Sequence, residues 1–230
     1  LCTRIPDNTD IKEASFTVLG SIALHGLRLS ETSLGSKVVV IGLGIIGQLV
    51  CRLAEAQGSE VIGIDPDTKR TDLSANFYTS VEEANMTNVD SVIITAATSS
   101  NEPIEVATKI ARNKAKIVVV GDIPLNISRN DFYYKELELV VSKSYGPGRY
   151  DKQYEILGKD YPIEYVRWTE NRNFEAFIKL LSQNQIHLLD LVTEEISFEN
   201  APSIYKKFTG EDKPHLLRPR NVSHLIPMHL

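Results

Sequence analysis

Gly42, Gly44 and Gly47 stand at the spacing G-x-G-x-x-G, directly after the apolar run Val38-Val39-Val40-Ile41. That arrangement suits the holding of a pyrophosphate. The first glycine allows a tight turn, the second lets phosphate approach the backbone, and the third lets helix and strand pack closely. A helix opening at Ile45 and Ile46 would aim its free N–H groups and positive dipole end at the phosphates. Asp65 follows at about the 20-residue interval this pattern requires, after the short run Val61-Ile62-Gly63-Ile64. A carboxylate there can accept both hydroxyl hydrogens of an adenosine ribose and would repel a 2′-phosphate, so NAD is expected over NADP. Pro66 extends the same turn. Lys69 and Arg70 pull the other way, since either could pair with a phosphate. The plain structural alternative for Asp65 is a turn residue before Pro66.

These residues need a strand, a turn and a helix to position them. Ile46, Leu49, Val50, Leu53 and Ala54 fall on one apolar helical face, and Gly58 follows as a stop. Upstream, Asp10 and Glu13 form a D-x-x-E variant of the capping box, and a helix is expected from residue 11 to about 29. His25 within it reads as a packed imidazole. Downstream, a short third strand is expected near Phe77-Tyr78, and a fourth over Ser91-Val92-Ile93-Ile94-Thr95. A helix opens at Asn101-Glu102-Pro103. Lys116 to Gly121 reads as a central strand, nearly all β-branched, and Leu137 to Val141 as a sixth. Strands alternating with helices imply an α/β fold built on a doubly wound, parallel six-stranded sheet.

In such a sheet the ligand lies beyond the carboxyl ends of the strands. That rule selects Asp65, Thr95 and Ala96 with Ala97-Thr98, Gly121 with Asp122, and Tyr145 with Ser144 and Gly146. Residues 145–173 break the pattern with a turn-rich run of tyrosines, arginines and Trp168. Such a loop either builds a pocket for a polar ring-shaped ligand or staples itself to the sheet. Asn171 or Asn173 is expected to cap a helix through about Gln183. Leu191 to Phe198 partly alternates like a strand. Asn200 is expected to cap a short helix to Lys207.

The chain has 230 residues, is 42% hydrophobic and 24% charged, and carries a net charge of −5 with no long basic run. That composition suits a globular α/β chain and argues against nucleic acid as a partner. No apolar stretch approaches the span of a bilayer. Cys2 and Cys51 are too few for a disulfide framework and suit a reducing cytoplasm. No Cys/His set has metal-ligand spacing, and His224 and His229 in the tail do not suffice. No metal site and no catalytic residue is assigned.

The order Ala23-Leu24-His25-Gly26-Leu27-Arg28, then the glycine turn, then Gly63-Ile64-Asp65-Pro66, resembles the cofactor domain of the medium-chain, zinc-type alcohol dehydrogenase superfamily. The run from Ser144 through Asn173 is similar to that of bi-domain oxidoreductases, often encoded in polysaccharide gene clusters. The resemblance covers roughly residues 3–210 and implies a Rossmann fold, NAD(H) as cofactor, hydride transfer at a carbinol, and a homodimer formed through the sheet edge. Only the bi-domain likeness implies sugars or sugar nucleotides as substrates. Superfamily members begin with a GroES-like catalytic domain that carries any zinc. No such domain precedes Leu1 here, so the chain reads as a fragment that is inactive alone.

The expected organisation is a leading segment and helix at 1–36, a Rossmann core at 37–145, a small α/β extension at 146–210 and a tail at 211–230. The expected role is NAD(H) binding within a cytoplasmic oxidoreductase. Two alternatives stand beside it: a non-catalytic NAD(H)-sensing module, and an S-adenosylmethionine-dependent transferase on a similar sheet.

Overall fold

Alternation along Val38-Val39-Val40-Ile41 sets the layers. Val38 and Val40 join one apolar cluster and Val39 and Ile41 another, so the strand is covered on both faces. The computed structural model of the chain describes residues 2–71, 74 and 76–201. Helices α1 (Ile11–Ala14) and α2 (Thr17–Leu29) lead into β1 (Lys37–Ile41), α3 (Ile45–Ala56) and β2 (Glu60–Ile64). The short elements α4 (Thr68–Thr71), β3 (Phe77–Tyr78) and α5 (Val81–Ala84) follow. Then come β4 (Val89–Ile94), α6 (Glu102–Ile110), β5 (Ala111–Val119), α7 (Arg129–Lys135) and β6 (Glu138–Val141). Helices α8 (Lys152–Glu155) and α9 (Glu170–Ser182) and two 3-10 turns, Leu189–Leu191 and Phe198–Asn200, complete the described chain.

The strands pair in the order β3-β2-β1-β4-β5-β6, every pair parallel. The winding reverses between β1 and β4, which is where an open sheet of this kind has its crevice. This is the doubly wound Rossmann arrangement the alternating pattern predicts. One face is closed by α2, α3 and α9, whose Leu24, Leu27, Leu49, Leu53, Phe177 and Leu181 pack on Val38, Val40 and Val118. The other face is closed mainly by α6, whose Ile104, Ala107 and Ile110 meet Ile62, Val92, Ile94 and Ile117. No described helix is long and apolar enough to cross a membrane.

Four local expectations are corrected. The leading helix is broken at Ser15-Phe16, where the Ser15 and Thr17 hydroxyls donate to the carbonyls of Lys12 and Ala14. Such side-chain bonding to nearby carbonyls competes with the helix ladder. Asp10 does cap α1, accepting from the Lys12 N–H at 2.7 Å. The capping box is not closed, however, because the buried Glu13 carboxylate accepts from the Leu188 N–H at 2.6 Å instead. Thr169, rather than either asparagine, caps α9, and Asn171 and Asn173 lie inside the helix.

Leu191 to Phe198 forms no strand. The backbone at its two ends bonds locally, Leu191 N–H to Leu188 C=O and Asn200 N–H to Ser197 C=O, so the described extension is helices, turns and loop. Asn200 sits within the second of those turns, and the helix expected beyond it, from residue 202, lies outside the described residues, as does the tail.

The ring of Phe177 is fully buried over Gly20, where an added Cβ would stand 2.2 Å from it. This contact ties α9, from the end of the chain, to α2, from its start. Phe177→Ala is expected to cost about 3–5 kcal/mol, read as a lower urea midpoint with an unchanged slope. A loss below about 1 kcal/mol would show that the two helices hold together without it.

Candidate functional site

The crevice at the reversal point is walled by the glycine turn. Gly42 sits at φ +96°, and its bare Cα lies against Ala96, where a Cβ would fall 2.6 Å from the Ala96 nitrogen. A Cβ on Gly47 would stand 1.9 Å from the Gly42 carbonyl oxygen, so only glycine lets α3 start this close to the strand. Gly44 caps the N-terminus of α3 and is different, because a Cβ there would meet nothing within 4 Å. The turn therefore has one packed side and one open side. The open side holds the free N–H groups of α3, the end of a helix suited to an anion.

Asp65 closes the second side of the crevice. It directly follows β2, is only 3% exposed, and accepts from the Leu43 N–H at 2.7 Å and the Asp67 N–H at 2.9 Å. Arg70 lies over the same carboxylate at 3.0 Å, with Asp67 a further 3.5 Å partner. The carboxylate thus ties the end of β2 to the glycine turn. Thr95, beyond β4, donates its hydroxyl to the Gly42 carbonyl and fixes the turn from the opposite side.

Between these walls lies a cleft of about 570 Å³, lined by Gly42, Gly44, Asp65, Pro66, Arg70, Thr95, Ala96, Ala97 and Thr98. Thr79 to Glu82 and the first turns of α6 form its remaining wall. Two other clefts, of 540 and 470 Å³, lie on α6–α7 and beside α3, away from the glycine turn.

The predicted residues divide accordingly. Gly42, Gly44, Asp65, Pro66, Thr95 and Ala96 come together on the cleft. Ile45 and Ile46 are half-buried in the first turn of α3, and Gly47 is packed behind them. Gly121 is packed rather than open, since a Cβ there would lie 2.0 Å from the Ala96 carbonyl oxygen. Lys69 is exposed and off the cleft, while Arg70 takes the place beside Asp65. Tyr145 also lies off the cleft, its ring 5.4 Å from that of Phe174 and under the Arg149 guanidinium at 5.1 Å.

The wall from Thr79 to Glu82 was not anticipated. Its signal in the sequence is the capping-box pattern Ser80-x-x-Glu83, in which Ser80 accepts from the Glu83 N–H while the Glu83 carboxylate reaches one residue further back and accepts from the Thr79 N–H and hydroxyl. The Thr79 hydroxyl and N–H hold that carboxyl below its ordinary range.

Residues 145–173 are tied chiefly to one another. The buried Tyr154 hydroxyl donates to Thr169 at 2.9 Å, and its ring stacks on Tyr161. Arg172 holds Asp160 and the carbonyls of Tyr161 and Val166. His25 is packed nearby and buried, and burial next to Arg28 lowers its pKa. Burial pushes the Cys51 thiol up, away from reactivity. Among the described residues no three His, Cys, Asp or Glu side chains gather as a metal site. His224 and His229 lie outside the described residues.

A Rossmann sheet with an open glycine turn and an acid at the end of β2 defines a dinucleotide-binding domain. Residues 20–131 match the family model for the D-isomer specific 2-hydroxyacid dehydrogenase NAD binding domain. With the fold and the turn, this makes NAD(H) the cofactor. The curated relatives include the 2-dehydro-3-deoxy-L-galactonate 5-dehydrogenase of Pseudoalteromonas atlantica, 28% identical over 174 residues that cover 67% of this chain and 49% of the relative. The D-guloside 3-dehydrogenase of Escherichia coli K12 is 24% identical over 228 residues, covering 90% of this chain and 61% of that one.

Among solved structures, the galactitol-1-phosphate dehydrogenase of Escherichia coli superposes with a TM-score of 0.70 at 21% identity, over 91% of this chain and 60% of its own. The chain thus spans between about half and three-fifths of the length of these relatives. The likeness is to alcohol and polyol dehydrogenases as a group.

Because Gly44 faces open space at φ −62° and lines the cleft, a side chain there fits the fold but fills part of the cleft. Gly44→Val is expected to leave the thermal midpoint nearly unchanged and to weaken NADH at least about tenfold, or 1.4 kcal/mol. Unchanged affinity would mean that the open side of the turn is not where phosphate lies.

Proposed function

We propose that this chain is the cofactor-binding part of an NAD-dependent oxidoreductase that interconverts a carbinol and a carbonyl on a sugar or polyol. The observation that carries the reading is the open Gly44 and the α3 N-terminus facing Asp65 across one cleft. The substrate class is supported by the names of the relatives, which act on a deoxygalactonate and a guloside. The run from Tyr145 to Asn173 supports a finer placement among bi-domain oxidoreductases of polysaccharide gene clusters, working in the cytoplasm. Such an enzyme's substrates include sugar nucleotides.

In this reading the chain binds and orients, and the bound nicotinamide supplies the hydride chemistry. The α3 N–H groups and the backbone at Gly44 take the pyrophosphate. Asp65 takes the adenosine ribose, with Pro66 beside it. Ala96 and Ala97, beyond β4, keep that wall low enough for flat rings to lie against the backbone. Gly121 stands behind the cleft, packed on Ala96, and acts through its shape. No residue of this chain is assigned a proton-transfer step, and a zinc ion belongs to other parts of a full-length relative.

A carboxylate at the ribose favours NADH over NADPH, while Arg70 beside it narrows the gap. Parallel calorimetric titrations with NADH, NADPH and S-adenosylmethionine are expected to rank NADH first. Asp65→Asn is expected to reduce the NADH-to-NADPH affinity ratio by about tenfold. An unchanged ratio would remove Asp65 from ribose recognition, and turnover-competent binding of S-adenosylmethionine would replace the oxidoreductase reading altogether.

We further propose a homodimer built through β6, which closes one edge of the sheet and leaves Val141 59% exposed. An edge strand offers unpaired backbone groups to a second copy. Light scattering on the purified chain is expected to give the mass of a dimer, and Val141→Lys that of a monomer. A monomeric parent chain would refute the edge assignment.

A further inference from the structure

Arg70 answers to two carboxylates, and only one of them belongs to the cleft. Its Nη1 donates to Asp65 at 3.0 Å, and its Nε stands 3.5 Å from the Asp67 carboxylate. Asp65 and Arg70 line the cleft, whereas Asp67 is not among the lining residues. Asp67 sits where a cap of α4 would sit. Its other carboxylate oxygen accepts from the Lys69 N–H at 3.1 Å, and its carbonyl accepts from the Arg70 N–H at 2.9 Å. One oxygen of Asp67 thus starts α4, and the other faces the arginine that α4 carries.

Which nitrogens are engaged decides what Arg70 can still bind. A guanidinium offers two flat forks, Nη1 with Nη2 at its end and Nε with Nη2 along its side. Either fork can take two oxygens of one phosphate. Asp65 engages a nitrogen of the end fork and Asp67 a nitrogen of the side fork, so neither fork is whole. Nη2 alone makes no hydrogen bond among the described residues. The charges are divided in the same way, with two carboxylates facing one guanidinium.

We propose that Asp67 is a specificity-determining residue for the cofactor and that it acts through Arg70. By engaging the side fork, it keeps Arg70 from the 2′-phosphate that distinguishes NADPH from NADH. This rests on the reading of the cleft as a dinucleotide site. A phosphate monoester carries close to two negative charges at neutral pH and is held best by a complete fork. With the Asp67 charge removed, Nε and Nη2 form that fork while Nη1 stays on Asp65. Arg70 then meets the phosphate without leaving the ribose acid. NADH has no 2′-phosphate, so its affinity does not depend on the side fork. Discrimination is therefore shared by two acids in series, Asp65 at the ribose and Asp67 behind the arginine.

Asp67→Asn isolates the charge, because asparagine keeps the shape and caps a helix about as well as aspartate. Asp67→Ser also keeps a capping oxygen and serves as the second variant, with the thermal midpoint of each showing that α4 is retained. The parent and variant chains would be titrated calorimetrically with NADH and NADPH at one ionic strength. NADPH is expected to bind both variants about fivefold more tightly than the parent, with NADH changed by less than about twofold. In an Arg70→Ala chain, Asp67→Asn is expected to give no gain, since there is no guanidinium to release.

A gain that persists without Arg70 would overturn the proposal, because Asp67 would then act by plain repulsion of the phosphate. NADPH affinity unchanged in both Asp67 variants, with NADH still bound by the parent, would overturn it too and leave the cleft reading intact. A parent chain that binds neither nucleotide would remove the cleft reading itself, and this proposal with it.

Discussion

The carboxylate of Asp65 is the constraint on which the site depends. A buried carboxylate is costly unless it is hydrogen-bonded and paired. Here the Leu43 and Asp67 N–H groups and the Arg70 guanidinium supply the compensation. The Leu43 bond matters most for geometry. It crosses from the end of β2 into the middle of the glycine turn and so fixes the distance between the two walls of the cleft. A carboxylate has about four acceptor positions, and three are used by the protein. The same group that shapes the cleft therefore keeps one acceptor position open. In the proposed reading, structure and ribose recognition compete for the lone pairs of one side chain.

That competition explains why Arg70 rather than Lys69 belongs to the site. The two are adjacent in sequence, and spacing alone does not choose between them. The short α4 turns Lys69 outward and brings Arg70 back over Asp65 and Asp67. An arginine can bridge two carboxylates and still present free N–H groups, as a lysine point charge cannot. The local turn, set by Asp67 accepting from the Lys69 N–H, decides which cation faces the cleft.

Much of the fold was legible because its signals are local or strictly periodic. The β-branched runs of β1, β4 and β5, the glycine spacing and the apolar stripe of α3 each predict their own element. Features that depend on distant partners were not legible. Glu13 looks like the second half of a capping box, yet Leu188, far along the chain, claims its carboxylate. Leu191 to Phe198 alternates like a strand, but Leu188 and Leu191 serve the helical face instead. Helix α7 has no apolar stripe in Arg129–Lys135, and of its aromatic residues Phe132 packs inward while Tyr133 and Tyr134 remain exposed. At the candidate site, the residues after β2 and β4, the strands beside and at the reversal point, came together on the cleft with Gly42 and Gly44. Gly121 and Tyr145, named by the same strand-end rule but after β5 and β6, are turned to packing by neighbours that the sequence order does not reveal.

The two faces of the sheet also differ in how they are assembled, and this bears on where the functional unit ends. The α6 face is built from segments between β3 and β6, close in sequence to the strands they cover. The opposite face needs α2, which precedes β1, and α9, which follows β6, to meet over Val38, Val40 and Val118. Cutting the chain to the strands and their direct crossovers would expose Leu49, Val50 and Leu53 along with those valines. Burying an aliphatic side chain contributes about 1.5–3 kcal/mol, so losing α2 and α9 removes several times the margin a domain of this size possesses. The glycine turn opens from β1, the strand at the centre of that face. The glycine turn is therefore held in place by helices that precede β1 and follow β6, and the proposed cofactor-binding unit extends to both of them.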